Sequence, residues 1–178
     1  WKNICKILTI GKKNSKKGYS HIDYESILKN QDGIIFLAHI SEKNHSFSER
    51  LGWLRFIQRL KRNISRSVYI VMAPKYDGLD EIRFYKINKF AKNIECEVVA
   101  SSTPVMHHGS RRKVRDTLSA IRMKCTIDDL GIESSIHGEQ RMRSPHDFKM
   151  IFKEYPKAIH NTNCISDRCS FSLDELSY

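Results

Sequence analysis

The sequence predicts an α/β fold in which parallel strands alternate with helices and a helical C-terminal segment follows. Three short apolar runs, at residues 34–40, 68–73 and 98–101, have the length and composition of buried strands. Amphipathic helical patterns separate them, and no further strand pattern follows. Strands joined through helices pair in parallel by crossover connections. The pattern alone does not choose between a barrel and a doubly wound sheet.

Two short helices are predicted before the first strand. Apolar side chains in residues 1–10 recur at helical spacing, and Gly11 is expected to end that helix. A second helix is predicted over residues 22–29. His39 lies near the end of the first strand, where a lone histidine is more often a hydrogen-bonded core residue than a ligand. We therefore do not assign it to a site.

Helices are also predicted after the first and second strands. Ser46 and Glu49 form a capping box, and an apolar stripe continues from there to Ile64. Pro74 closes the second strand, and the next helix is predicted over residues 80–92. Both helices are expected to cover the outside of the sheet, because strands that are apolar on both faces need such cover.

A loop at residues 101–108 and a basic helix at residues 111–123 follow the third strand. Loops at the carboxyl ends of parallel strands are where α/β proteins place their chemistry. The apolar positions of this helix are predicted to be buried: Val114, Leu118 and Ile121. Three arginines are predicted on the opposite, solvent-facing side as candidate nucleic-acid contacts: Arg111, Arg115 and Arg122. A plain solvated surface is a nearly equal alternative.

The C-terminal third is predicted to be helical. Residues 131–141 form a polar, loosely patterned connection. Ser144 is a predicted N-cap followed by a proline at the first helical position, and Pro156 begins a last helix. We divide the chain into an α/β portion at residues 1–130 and a helical extension at residues 131–178.

Composition favours an anionic partner. The formal net charge of the 178 residues is +11, which attracts nucleic acid, although scattered lysines also serve simple solubility. Five cysteines lack a Cys-x-x-Cys pair, so mostly buried, reduced thiols are expected. No apolar run has the length of a membrane span and no signal peptide opens the chain, so we expect a cytoplasmic protein.

Four blocks carry a resemblance to a known family. They are Val-Ala-Ser-Ser-Thr-Pro-Val-Met-His-His at residues 99–108 with the helix that follows, Ile-Cys-Lys-Ile-Leu-Thr-Ile-Gly-Lys at residues 4–12, Met-Arg-Ser-Pro at residues 142–145, and Asp-Arg-Cys-Ser-Phe-Ser-Leu-Asp-Glu-Leu-Ser-Tyr at residues 167–178. In this order they resemble the PHP domain of C-family bacterial DNA polymerases, in particular the error-prone group. The resemblance implies a partial PHP-type (β/α) barrel.

The resemblance also implies a divalent-metal cluster, from which this chain departs. In the family pattern the third strand ends in Asn-Asp-x-His, whereas Thr103 and Val105 stand at the aspartate and histidine positions. His107 falls where error-prone members often keep a histidine and is a possible remnant ligand. We therefore expect no catalytic residue, metal or cofactor in this chain, and magnesium chemistry only in the parent polymerase.

Two functions compete on this basis. The first is a non-catalytic scaffold within an error-prone DNA-directed DNA polymerase, a nucleotidyltransferase of DNA replication and damage repair. The second is a metal-dependent phosphoesterase or exonuclease of the PHP superfamily, which the residues at 103 and 105 disfavour. A stand-alone nucleic-acid-binding module is a weaker third. Expected partners are DNA, the remainder of the parent polymerase and other replication or translesion proteins, without a membrane.

Overall fold

The computed structural model describes residues 1–13, 15–40, 47–64, 66–133 and 137–175. Strands and helices alternate through the first two thirds, and helices complete the described chain. The elements are α1 (Lys2–Lys13), α2 (Tyr24–Lys29), β1 (Phe36–His39), α3 (Phe47–Asn63), β2 (Val68–Met72), α4 (Asp80–Asn93), β3 (Glu97–Ala100), α5 (Arg112–Met123), α6 (Pro145–Ile151) and α7 (Pro156–Arg168), with short 3₁₀ helices at Gly109–Arg111, Asp128–Glu133 and Leu173–Glu175.

The three strands form one parallel sheet in the order β1-β2-β3. Phe36 is in register with Val68, and Tyr69 is in register with Glu97. The predicted parallel pairing of neighbouring strands is confirmed. The part of the chain that the structure describes contains three strands in one open sheet, so the partial PHP-type barrel remains an expectation from the resemblance.

Helices α3 and α4 pack on one face of the sheet to form the core. Ile57 and Leu60 of α3 are buried there with Phe84 and Ile87 of α4. Phe152, at the end of α6, is fully buried in the same cluster. The C-terminal helices therefore share their core with the strands. The division of the chain at residue 130 stays a prediction.

Helix α7 closes the outer edge of β3. Asn161 Nδ2 donates to the Val98 carbonyl oxygen at 2.8 Å, and Thr162 Oγ1 donates to the Ala100 carbonyl oxygen at 2.9 Å. Both carbonyls lie on the side of β3 away from β2, since the Ser101 amide reaches Met72 on the other side. A helix thus satisfies acceptors that would otherwise need another strand.

Helix α5 has the opposite orientation from the one predicted. Its buried residues are the small or polar ones, Asp116, Ser119 and Ala120. The predicted core positions are exposed instead, at 48% for Val114, 62% for Leu118 and 69% for Ile121. Among the described residues, the helix packs mainly against the 3₁₀ segments on either side of it. The apolar stripe was identified correctly, but its burial was wrong.

Two smaller expectations also need correction. The prediction that α1 ends at Gly11 is wrong, because the helix continues to Lys13. A Cβ at position 11 would lie too close to the side chains of Ser20 and Ile22, so glycine fits this position. The cysteines are free, but only Cys96 is buried, and burial raises the pKa of its thiol. The predicted cap residue Ser46 lies outside the described residues, and α3 begins at Phe47.

In the described ranges, no helix is long and apolar enough to span a bilayer.

Asn161→Ala is expected to destabilise the fold by about 1–3 kcal/mol, because it leaves the buried Val98 carbonyl without its donor. Chemical denaturation of residues 1–178 measures the effect. Asn163→Ala is the matched control, since Asn163 is exposed on the same helix. Equal stability losses in the two variants would show that the bond to β3 contributes nothing.

Candidate functional site

The carboxyl edge of the sheet is where the sequence places the site, and three segments meet there. They are the loop after β2, the loop after β3 and residues 137–143, which approach from the C-terminal part. The Val105 amide donates to the Gln140 carbonyl, and the Met142 amide donates to the Met106 carbonyl, each at 3.0 Å. This short parallel bridge buries Met106. The loop after β1 lies outside the described residues.

Asp80 organises the loop after β2. Its carboxylate accepts hydrogen bonds from the amides of Lys75 and Tyr76, both at 2.8 Å. The buried Arg83 pairs with Asp80 and with Asp77, and its bond to Asp77 lowers the pKa of that carboxyl. The backbone of Tyr76 has φ at +57°, a left-handed conformation that residues other than glycine seldom adopt. Helix α4 thereby fixes the direction of the Tyr76 ring.

The ring of Tyr76 is covered by Arg143. The guanidinium carbon lies 4.7 Å from the ring centroid, and Arg143 Nη2 donates to Glu139 Oε2 at 2.6 Å. Only 8% of the Arg143 side chain is exposed. Burial raises the pKa of Tyr76, and the charge of Arg143 opposes that rise. This cation–π contact joins the loop after β2 to residues 137–143.

A histidine adds a second link between the same two segments. His137 Nε2 lies 3.2 Å from the Lys75 carbonyl oxygen, and His137 Nδ1 accepts from the Glu139 amide at 3.2 Å. A carbonyl only accepts, so these bonds fit a neutral imidazole with its proton on Nε2. The predicted loose connection is therefore well packed from residue 137 onward. The sequence carried no signal for it, because the partners are 62 positions apart.

Thr103 and Val105 stand where the resemblance implies metal ligands, and neither side chain is a carboxylate or an imidazole. Thr103 has φ at +40° and its amide donates to Ser101 Oγ, while Val105 is half exposed. A hydroxyl and an isopropyl group replace a carboxylate and an imidazole, so the donor chemistry does not fit the family's cluster. Nowhere within the described ranges do three His, Cys, Asp or Glu side chains converge.

The remaining histidines near this edge have separate surroundings. His107 is exposed, while the neighbouring His108 accepts from the Ser110 amide and caps the 3₁₀ helix that begins at Gly109. His39 is exposed, so its interpretation as a core residue is wrong. Its backbone carbonyl accepts from Trp53 Nε1 at 2.9 Å. The structure does not bring His39 and His107 into a cluster.

Helix α5 presents a basic stripe beside its apolar stripe. With about 3.6 residues per turn, Arg115 and Arg122 fall next to Leu118 and not across the helix from it. Arg115 is half buried and paired with Asp116 at 3.1 Å, whereas Arg111 and Arg122 are exposed. A groove of about 320 Å³ runs between this helix and the loop after β3, lined by Val105, Met106, His107, Arg111, Val114, Arg115 and Leu118.

The chain is similar along its whole length to one segment of bacterial error-prone DNA polymerases. It is 30% identical over 178 residues to the error-prone DNA polymerase of Ruegeria pomeroyi and 28% identical over 177 residues to error-prone DNA polymerase 1 of Agrobacterium fabrum. The figure is 26% over 181 residues for the error-prone DNA polymerase of Sinorhizobium medicae. These matches cover 98–100% of the chain but only 16% of each relative. No protein-family model matches the chain.

Gly138→Ala is expected to destabilise the loop contact at this edge. A Cβ on Gly138 would lie 2.8 Å from the Gly109 carbonyl oxygen, which is too close for either backbone to remain in place. We expect a loss of about 1–3 kcal/mol in unfolding free energy. Gly52→Ala is the control, since its Cβ meets open space and α3 should gain about 0.5–1 kcal/mol. Thermal unfolding in which Gly138→Ala is as stable as Gly52→Ala would contradict the close approach.

Glu139→Gln is expected to flatten the acid side of the stability profile. The hydrogen bond from Arg143 lowers the pKa of Glu139 from its ordinary 4.5. A carboxyl whose pKa is lower in the folded state than in the unfolded state stabilises the fold at pH values above 4.5. This contribution to the unfolding free energy is lost as the pH falls through the lowered pKa. Denaturation midpoints measured from pH 6 downward test this. Arg143→Gln should remove the same component, and an unchanged slope in both variants would exclude it.

Proposed function

We propose that residues 1–178 are a PHP-like scaffold segment of an error-prone DNA-directed DNA polymerase, which acts in damage-tolerant DNA replication and repair. Similarity over the whole chain to polymerases of that name supports the parent assignment. The observation that carries the scaffold role is the donor set at the carboxyl edge, where Thr103 and Val105 replace metal-binding side chains. In this proposal the segment supports the parent without hydrolysing phosphoesters.

The polar groups at this edge support a structural role. Asp80 and Arg83 hold the loop after β2 to α4, and Arg143 pairs with Glu139 within its own segment. His137 bonds to Lys75, and Arg143 covers Tyr76, so these two contacts join residues 137–143 to the loop after β2. A hydrolytic site instead needs ligands with free lone pairs that converge on a cation, and a group positioned to activate water. Asp80, Arg83 and His137 are bonded within the fold, while Tyr76 Oη and Arg143 Nε are buried without a hydrogen-bond partner among the described residues.

Nucleotidyl transfer in the proposed parent belongs to residues beyond this segment. Such chemistry uses carboxylates that hold two cations about 4 Å apart. The chain has adjacent acidic residues at Asp128–Asp129 and at Asp174–Glu175. Both pairs make local bonds: Asp129 accepts from Thr126 Oγ1 at 2.5 Å, and Glu175 accepts from the Ser172 amide at 3.1 Å. We infer that magnesium, the DNA substrate and partners in replication or translesion synthesis engage the rest of the polymerase.

The parent polymerase is expected to show no phosphoesterase activity that depends on this segment, even with added manganese or zinc, because positions 103 and 105 lack metal-binding atoms. Release of phosphate from a model phosphoester, and exonuclease release from labelled DNA, provide the measurement. His107→Ala tests the possible remnant ligand, with His108→Ala as its control because His108 already caps a 3₁₀ helix. Metal-dependent hydrolysis that His107→Ala abolishes and His108→Ala preserves would overturn the scaffold proposal in favour of the phosphoesterase.

A further inference from the structure

Helix α5 carries an exposed apolar stripe that the proposed function does not explain. Val114, Leu118 and Ile121 recur at the i, i+4 and i+7 positions of one face and are all exposed. Val105 extends the stripe along the groove beside the helix. Contiguous aliphatic side chains of this kind mark contact surfaces more often than plain solvated surface.

The other side of α5 is already occupied. Asp116, Ser119 and Ala120 are buried, and Leu130 of the following 3₁₀ helix is only 3% exposed. Arg112 and Arg115 pair with the carboxylate of Asp116. Turning the apolar stripe inward would therefore pull a paired, buried carboxylate out of its contacts. The stripe stays outward until something covers it.

The total surface also exceeds that of a self-contained domain. The accessible area of the chain is 13075 Å². A folded monomer of 20.8 kDa exposes about 8,900 Å² by the usual scaling with mass. A typical specific interface removes about 800 Å² from each partner, and the exposed stripe of α5 contributes part of this surface.

We propose that the Val114–Leu118–Ile121 face of α5 docks onto the remainder of the parent polymerase chain, at an apolar surface flanked by acidic residues. This rests on the proposed function, since it names the partner of the scaffold. The relatives are about six times as long as this chain, which covers 16% of them, so they contain ample polypeptide to cover the face. The exposed Arg111 and Arg122 border the stripe and complement an acidic rim.

Two other occupants fit the face less well. DNA phosphates could contact the arginines. The aliphatic stripe would then face phosphates and sugars, with which aliphatic side chains form no favourable contacts. A second copy of this chain would bring the same patch against itself and place basic stripes close together, which like charges disfavour. A polypeptide surface of opposite charge satisfies both stripes.

Hydroxyl-radical footprinting of the full parent polymerase tests the docking, because it reads the solvent exposure of aliphatic side chains. Leu118 and Ile121 are expected to oxidise as slowly as Ile57, which is fully buried, and not as fast as Ile82, which is 54% exposed. Oxidation at the rate of Ile82 would overturn the inference. So would protection that appears only when the parent dimerises, since the occupant would then be a second copy.

Substitution separates docking from the alternatives. In the parent, Leu118→Asp should raise the oxidation of Val114 toward the rate of Ile82, and Ile82→Asp should leave it unchanged. Arg111→Ala with Arg122→Ala should leave the salt dependence of DNA binding unchanged, because each lost phosphate contact would otherwise reduce the log-log slope by about 0.9. A reduced slope would assign the face to DNA.

The outcome is independent of the hydrolysis assay. Metal-dependent hydrolysis with a protected Leu118 would end the scaffold proposal and leave the docking intact. An absence of metal-dependent hydrolysis together with an exposed Leu118 would leave the scaffold proposal intact and overturn the docking.

Discussion

The fold depends on the two hydrogen bonds by which α7 closes β3. Asn161 and Thr162 supply donors to the outward carbonyls of Val98 and Ala100, and Lys157 adds an ion pair to Glu97 at 2.8 Å. A buried carbonyl without a donor costs more than most single contacts contribute, so this edge must be covered. Covering it with a helix ties the C-terminal third of the chain to the last strand.

The attachment of α7 to β3 determines which segments meet at the carboxyl edge of the sheet. Because α6 and α7 share the core with the strands, residues 137–143 are led back across the loops that follow β2 and β3. There Arg143 covers Tyr76, and Gly138 meets Gly109 backbone to backbone. His137 also bonds to the Lys75 carbonyl, so two side chains of residues 137–143 contact the loop after β2. These contacts are consistent with the structural role that we propose for this edge.

Local patterns predicted the strands well and the joint not at all. The runs at 68–73 and 98–101 became β2 and β3 because β-branched, apolar segments leave few alternatives. The pairing of Tyr76 with Arg143 depends on positions far apart in sequence, for which a single chain offers no periodicity. Thr103 and Val105 were found only through a comparison with a family pattern. The backbone conformation around them, including the positive φ of Thr103, depends on the tertiary fold and has no sequence pattern that predicts it.

The error over α5 has a more general cause. Amphipathicity shows that a helix has two unlike faces, but it does not say that the apolar face meets the core of the same segment. Here small side chains and a paired carboxylate already fix the inner face, so Leu118 and Ile121 are left outward. Val114, Leu118 and Ile121 lie on the side of α5 opposite its buried residues and are exposed. In our docking proposal the remainder of the parent polymerase covers this face, and the exposed Arg111 and Arg122 beside it form the edge of the contact.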